Sequence, residues 1–385
     1  MTERDVLLDV SRLIWRLWRG RLPTGVDRVC LAYLDHFRSR SRAVIQRKGH
    51  YFILAERHSD ELFDLLSSGA KGFRQGFIKL ALRAFGSARR TPERTNLLYL
   101  NVGHTGLDET SLVEWIRESE VRAIFLIHDL IPLLHPEYCR PGEREKHDRR
   151  IVNVLQSAAG IIGNSKATLQ DIRAFASARG MPMPSSLAVL IAGPPVAAKV
   201  LPRRFDRPHF VTVGTIEGRK NHGLLLHLWR RLAAEGSNVP ILVIVGQRGW
   251  EADEAIAMLD RSNDLVDHVI ELSSCSDIQL AAIIRGARAL LMPSFAEGFG
   301  LPVVEALELG TPVIASDLPV FREFAGDIPT YLDPMDGVAW ERAVRAFSRN
   351  SADRERQLQA MMGYRGPAWG THFATVDNWI ETISN

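Results

Sequence analysis

Between Ala289 and Gly310 an apolar run, a glycine turn and a helix start follow one another with almost no spare residue, and this restricts the chain to parallel α/β architecture. Ala289 to Ser294 reads as a short buried strand. Gly298-Phe299-Gly300 then lets backbone N–H groups approach a ligand with no Cβ in the way. Pro302 suits a first helical turn and Gly310 the position after the last, so a helix is predicted from about Leu301 to Leu309. Its unpaired N–H groups and positive dipole end form an anion site at the turn, with pyrophosphate a natural occupant. Glu297 stands before that helix and Glu305 inside it. One carboxylate can therefore face the far end of a phosphorylated ligand while the other reaches a hydroxyl-rich neighbour, a sugar and a ribose being the candidates. Taken alone, the same residues also describe a strand-turn-helix with ordinary surface carboxylates.

A second segment, Val211-Thr-Val-Gly-Thr-Ile-Glu-Gly-Arg-Lys-Asn-His222, carries the complementary charge. A β-branched run ends at Gly214, Arg219 and Lys220 follow in the loop, and Asn221 can cap a helix beginning near Gly223. Arginine grips phosphate oxygens in a bidentate fork and lysine neutralises charge as a point cation. A third segment, Arg122 to Tyr138, is a strand that delivers His128 and Asp129 at its C-terminal end, where ligands of open α/β sheets collect. His135 reads as a structural histidine.

The Glu297-x7-Glu305 spacing with Gly-Phe-Gly-Leu-Pro inside it, continued by Ala306-Leu-Glu-Leu-Gly-Thr-Pro-Val-Ile-Ala-Ser316, resembles the retaining glycosyltransferases of sequence family 4. Gly214-Thr215-x-Glu-x-Arg219-Lys220-Asn221 and His128-Asp-Leu-Ile-Pro-Leu are similar to two further signatures of that family. The resemblance implies the GT-B fold: α/β, two Rossmann-like domains with parallel sheets facing an interdomain cleft, and a C-terminal helix crossing back to the N-terminal domain. It also implies roles. Glu297 would contact the donor sugar and Glu305 the nucleotide ribose, with phosphate on the amides of Phe299, Gly300 and Leu301. Gly214, Thr215, Arg219 and Lys220 would hold the donor diphosphate, backbone near Leu272 the base, and His128 would lie against the donor sugar across the cleft. Closer to the N-terminus, Leu22-Pro-Thr-Gly25-Val-Asp-Arg-Val29 would open the first long helix after a strand at Val6 to Val10. Gly25 can approach a phosphate or sugar there, although many family members carry a more glycine-rich loop.

A chain of 385 residues with 46% hydrophobic and 24% charged residues suits two soluble domains with substantial cores. The N-terminus has no basic segment leading into an apolar core, and no apolar run approaches about 18 residues, so neither a standard signal nor a membrane span is expected. Cys30, Cys139 and Cys275 match no disulfide framework or zinc spacing, which fits a reducing cytoplasm. The net charge of +3 is small, and its distribution carries more information. Arg12, Arg16, Arg19 and Arg21 interleave with Trp15 and Trp18. Lys71 to Thr91 contains no acidic residue and sets Phe73, Phe77, Leu80 and Ala84 on one helical face. Such a segment is either a peripheral contact with an anionic membrane, at the inner face of the plasma membrane, or a core helix with a solvated basic edge. No nucleic-acid motif accompanies the basic clusters.

The expected domains are 1–195 on the acceptor side, 205–360 for the nucleotide sugar, and 361–385 as the returning helix, with Gly193-Pro-Pro-Val and Leu201 to Pro208 as linker. Asn164 or Ser165 is expected to cap another helix. No two aspartates are separated by a single position, so the metal-clamping Asp-x-Asp is missing. No metal or cofactor is expected, and charge on the diphosphate falls to Arg219, Lys220 and the helix start. The resulting expectation is retaining transfer of a hexose, mannose by analogy, from a nucleotide diphosphate sugar to a glycan or lipid-linked acceptor in cell-surface polysaccharide assembly. A nucleotide-sugar epimerase or phosphorylase of the same shape and a non-catalytic sugar-binding protein remain open. An NAD oxidoreductase fits less well, because neither loop contains G-x-G-x-x-G.

Overall fold

The computed structural model describes residues 4–21, 23–69, 71–84, 86–193, 200–236 and 238–384. Leu22, Phe85 and the Pro194-Pro195-Val196 part of the expected linker lie outside these. The chain divides into two compact units: Met1–Leu130 with Arg144–Ile191 and Trp369–Asn385, and Ile131–Glu143 with Ala192–Ala368.

The first unit is built on strands β1 (Val6–Asp9), β2 (Ser41–Arg47), β3 (His50–Ile53), β4 (Leu98–Asn101), β5 (Arg122–Ile127), β6 (Ala158–Gly163) and β7 (Ser185–Ala188). Their order is β3-β2-β1-β4-β5-β6-β7, with β3 antiparallel to β2 and the other pairings parallel. An additional helix, Ser11–Trp18, precedes the helix Gly25–Phe37. The C-terminal helix Trp369–Ser384 packs on this unit. His372 bridges the Tyr33 hydroxyl at 2.8 Å and the Leu190 carbonyl at 3.0 Å, while the Trp379 ring lies where a Cβ on Gly160 of β6 would come within 2.5 Å of it.

The second unit has β8 (His209–Val213), β9 (Ile241–Val245), β10 (Val269–Leu272), β11 (Leu290–Met292), β12 (Val313–Ser316) and β13 (Thr330–Leu332), in the order β10-β9-β8-β11-β12-β13. All are parallel. β9, Ile-Leu-Val-Ile-Val, is buried throughout, as a strand covered on both faces must be. Counted along the chain, the order is third, second, first, fourth, fifth, sixth, so the winding reverses between β8 and β11, and ligands bind outside the carboxyl ends of strands at such a reversal.

Two sequence boundaries shift. Residues 131–143, expected in the N-terminal domain, belong to the second unit. There Tyr138 stacks on Phe295 at 5.2 Å, Trp250 donates to the Tyr138 carbonyl at 3.1 Å, and the Arg140 guanidinium lies 4.7 Å from the Trp250 ring. The expected linker around Leu201 to Pro208 is likewise tied to this unit, with the Arg203 amide donating to the Ala282 carbonyl at 2.8 Å.

Candidate functional site

The chain leaving β8 runs through Gly214 to Asn221, and the chain leaving β11 runs through Ser294 to Gly300, so both loops emerge at the winding reversal. The Phe295 amide ties them by donating to the Arg219 carbonyl at 2.8 Å. The Glu297 side chain, 5% exposed, accepts from Lys220 Nζ at 2.5 Å, Arg219 Nη1 at 2.9 Å and Ser294 Oγ at 2.7 Å. Arg219 Nε also pairs with buried Glu217 at 2.7 Å. Two carboxylates thus balance two cations. Burial works against the charge on Glu297, but Lys220 and Arg219 outweigh it and hold its carboxyl at about 2. Burial pulls the Lys220 ammonium below the ordinary lysine range while Glu297 pushes back. Burial raises the Glu217 carboxyl, with Arg219 opposing.

Gly214 stands at φ 142°, and a Cβ there would meet Lys220 Cε at 3.1 Å, so the glycine makes room for the lysine stem. Gly300 stands at φ 104° at the N-cap of the helix Leu301–Glu308, where a Cβ would come 2.3 Å from the Phe321 ring. The Phe299 ring is buried against Phe324, which leaves its backbone as the part able to meet a ligand. Among the described residues the amides of Phe299, Gly300 and Leu301 donate to no protein acceptor. Glu305 is buried in that helix, its Cγ 3.7 Å from where a Cβ on Gly193 would stand. Arg219, Lys220 and Glu297 are therefore in direct contact, with Gly214 against the lysine.

Other expected positions are held by contacts of their own. Asn221 occupies the N-cap of His222–Ala234 but does not cap it through its side chain. Its backbone is left-handed at φ 54°, and its amide nitrogen donates instead to the Pro334 carbonyl at 3.0 Å. Leu272 ends β10, two strands from β8, and its carbonyl is already engaged by the Gly246 amide at 2.9 Å. Neighbouring Glu271 is held by Arg248 at 2.8 Å. Thr215 is half-buried and its methyl lies 2.6 Å from a Cβ built on Gly249.

Gly25 and His128 lie in the first unit. Gly25 is an exposed first helical residue after Thr24, whose amide and hydroxyl both donate to Asp27, at 2.7 and 2.6 Å. Asp27 in turn pairs with Arg12 at 2.7 Å, so the loop is organised by a carboxylate rather than by extra glycines. His128 follows β5 and is 5% exposed. Its Nε2 donates to the Val102 carbonyl at 2.9 Å, which turns Nδ1 into the ring's lone-pair nitrogen. Burial lowers its pKa to about 4, leaving the ring neutral at neutral pH. Ser165, rather than Asn164, caps the helix Lys166–Ala178, and Asn164 donates to the His128 carbonyl at 2.8 Å. His104, at φ 60°, sets Nε2 3.3 Å from the His128 amide.

Glu217, Ser294 and His104 join these contacts with no role expected from sequence. Glu217 stands within the Gly214-Thr215-x-Glu-x-Arg219 segment, whereas nothing local marks the other two. Of the expected stripe in segment 71–90, Phe73, Leu80 and Ala84 are buried and Phe77 is half-buried, so most of that stripe is core rather than membrane-facing. Ile78 and Leu82 of the same helix are 48% and 76% exposed. No helix among the described residues is long and apolar enough to cross a membrane, and no cluster of three or more His, Cys, Asp or Glu there could hold a metal ion.

Two doubly wound α/β units in one chain, parallel but for β3, give the GT-B fold, the architecture of many glycosyltransferases. Within it, residues 197–368 match the family described as glycosyl transferases group 1. The chain is similar to the serotype-specific mannosyltransferase WbdA of Escherichia coli, 29% identical over 266 residues, a match that covers 64% of this chain and 32% of that relative. It thus matches about a third of that relative's length. The O-antigen chain mannosyltransferase B of Escherichia coli is 29% identical over 223 residues, covering 56% of this chain and 58% of the relative. Among solved structures, Anabaena HepE in complex with UDP and glucose superposes with a TM-score of 0.66 at 14% identity, covering 98% of this chain and 99% of that one.

Proposed function

We propose that the chain is a retaining glycosyltransferase that moves a hexose, mannose in the first instance, from a nucleotide diphosphate sugar to a hydroxyl of a glycan or lipid-linked acceptor in polysaccharide assembly. The observation that carries this reading is the buried contact of Glu297 with Arg219 and Lys220 at the winding reversal, beside three amides that donate to no protein acceptor among the described residues. The mannosyltransferase names of the similar proteins favour mannose.

In this proposal the diphosphate takes the amides of Phe299, Gly300 and Leu301 and draws Lys220 and Arg219 partly away from Glu297. Glu297 is then released towards the sugar hydroxyls, and Glu305 binds the ribose. The bond from the anomeric carbon to the phosphate oxygen breaks as the acceptor oxygen bonds to that carbon on the same face, and the acceptor proton passes to the departing phosphate. Positioned cations and amides stabilise the leaving charge in place of a metal ion. His128 serves the acceptor side, with Nδ1 as a hydrogen-bond acceptor.

Incubation with GDP-mannose, UDP-glucose and other nucleotide sugars, with product anomers read by NMR, tests the reaction. Lys220→Ala and Glu297→Ala should each lower transfer by at least 100-fold, and full transfer by either variant removes the site assignment. Peripheral binding at the inner face of the plasma membrane is supported by exposed Ile78 and Leu82 beside Lys79 and Arg83, of which Arg83 is paired with Glu61. Sedimentation with anionic phosphatidylglycerol vesicles should fall in Ile78→Ser/Leu82→Ser and with added salt. Equal sedimentation of the double variant removes the membrane contact from this helix.

A further inference from the structure

His222 opens the 13-residue helix His222–Ala234, two positions after Lys220. It is 3% exposed, and among the described residues neither Nδ1 nor Nε2 has a hydrogen-bond partner. A neutral imidazole presents one N–H and one lone pair, and leaving both unmet in a buried place is costly. Such a group calls for a partner outside the chain's own packing. Its location says where that partner would be. His222, Leu225, Leu226 and Trp229 are all buried and share one helix face, so the imidazole is on the sheet side. The first turn of a helix that follows a parallel strand stands at the carboxyl edge of the sheet, here beside β8 at the winding reversal. Lys220 and Glu297 are near enough for their charges to act on the ring.

We infer that His222 is a further donor-site residue whose ring N–H donates to a phosphate oxygen of the bound nucleoside diphosphate, next to the Lys220 ammonium. This rests on the donor-site reading above and adds to it a residue and a contact. The chemistry suits the place. Arg219 and Lys220 are already balanced by Glu217 and Glu297, and a third full cation would upset that balance. Burial, and then the Lys220 charge, hold the His222 pKa at about 4, so the free protein offers an uncharged donor. An uncharged N–H gives direction to the phosphate without adding repulsion between cations.

The probe is inorganic pyrophosphate, which needs no knowledge of the base, with affinity measured by calorimetry on the full chain. His222→Phe keeps the ring volume and removes both nitrogens. Its ligand-free melting temperature should equal or exceed that of the unsubstituted protein, because two unmet polar atoms are gone, while pyrophosphate affinity falls about 10-fold or more, as for one hydrogen bond to a charged group. His222→Gln, which keeps a donor, should recover most of that affinity. A histidine that matters only for packing gives the reverse: a lower melting temperature with affinity intact. If pyrophosphate binds His222→Phe within about twofold of the unsubstituted protein while Lys220→Met abolishes binding, the His222 contact is wrong and the donor site stands. Should Lys220→Met also bind normally, both readings fall. The unsubstituted protein supplies a check free of folding effects: pyrophosphate should shift the ring nitrogen resonances of His222, and resonances that stay fixed at saturation overturn the inference.

Discussion

Glu297 accepts from Lys220, Arg219 and Ser294 at once, and a carboxylate held in that way resists protonation. Its folded pKa of about 2 lies below the ordinary 4.5, so the ionised form contributes stability that is fully present above about pH 4.5 and is lost as the pH falls from there towards 2. The difference corresponds to on the order of 3 kcal/mol for this almost fully buried group. Urea unfolding across that range should show the unsubstituted protein losing stability more steeply than Glu297→Gln, which has no carboxyl to titrate. Parallel curves would mean that the carboxylate is not held by its cations. At pH 7 the ranking should be simpler, with Glu297→Gln less stable because it leaves buried Lys220 without its counter-charge, a loss of roughly 3–5 kcal/mol where one partner of a buried pair is removed.

The helix Leu301–Glu308 depends on how it begins, and its beginning is set by Gly300. Gly300→Ala places a methyl group 2.3 Å from the Phe321 ring and asks an L-residue to hold φ 104°. Strain of this kind costs on the order of 1–3 kcal/mol, and the clash adds to it. The variant should therefore melt lower and bind pyrophosphate less well, because the amides of Gly300 and Leu301 turn with the backbone, and unchanged binding would place the phosphate elsewhere. Gly300, Pro302 and the apolar run before them made this element legible from sequence, because glycine, proline and periodicity act over a few neighbours. Asn221 is not legible in the same way, for the opposite reason. Its left-handed backbone and its bond to Pro334, 113 residues away, are imposed by tertiary structure. The period of Phe73, Phe77, Leu80 and Ala84 marks one face, of which Phe77 is only half-buried, and a period does not say whether core or solvent meets it. In the same way, Arg219 and Lys220 were recognisable as a basic pair, whereas Ser294 became a partner of Glu297 only through the geometry of the loop after β11.

Each unit carries its own sheet, and the core of the second gathers Phe210, Leu226, Trp229, Leu242, Leu291 and Trp340 around β8, β9 and β11. The cationic pair, Glu297, Glu305 and the helix start all belong to that second unit, while Gly25 and His128 belong to the first. This partition lets the proposed role of each unit be tested separately. A ligand that binds only the folded form stabilises it, by about 2.7 kcal/mol at a hundred times its dissociation constant. On the proposed reading the diphosphate is the part of the donor that the second unit would hold, so with pyrophosphate hydrogen exchange should slow around 214–222, 297–305 and the strands β8 and β11, and should be unchanged at β1 and β4. A complete nucleotide sugar should extend the protection to the backbone around Gly25 and His128 if those residues meet the sugar. Protection of β1 and β4 by pyrophosphate alone would place an anion site in the first unit, where Arg12 and Arg16 both pair with buried Asp27, and would move the proposed phosphate-binding role from Lys220 to that arginine cluster.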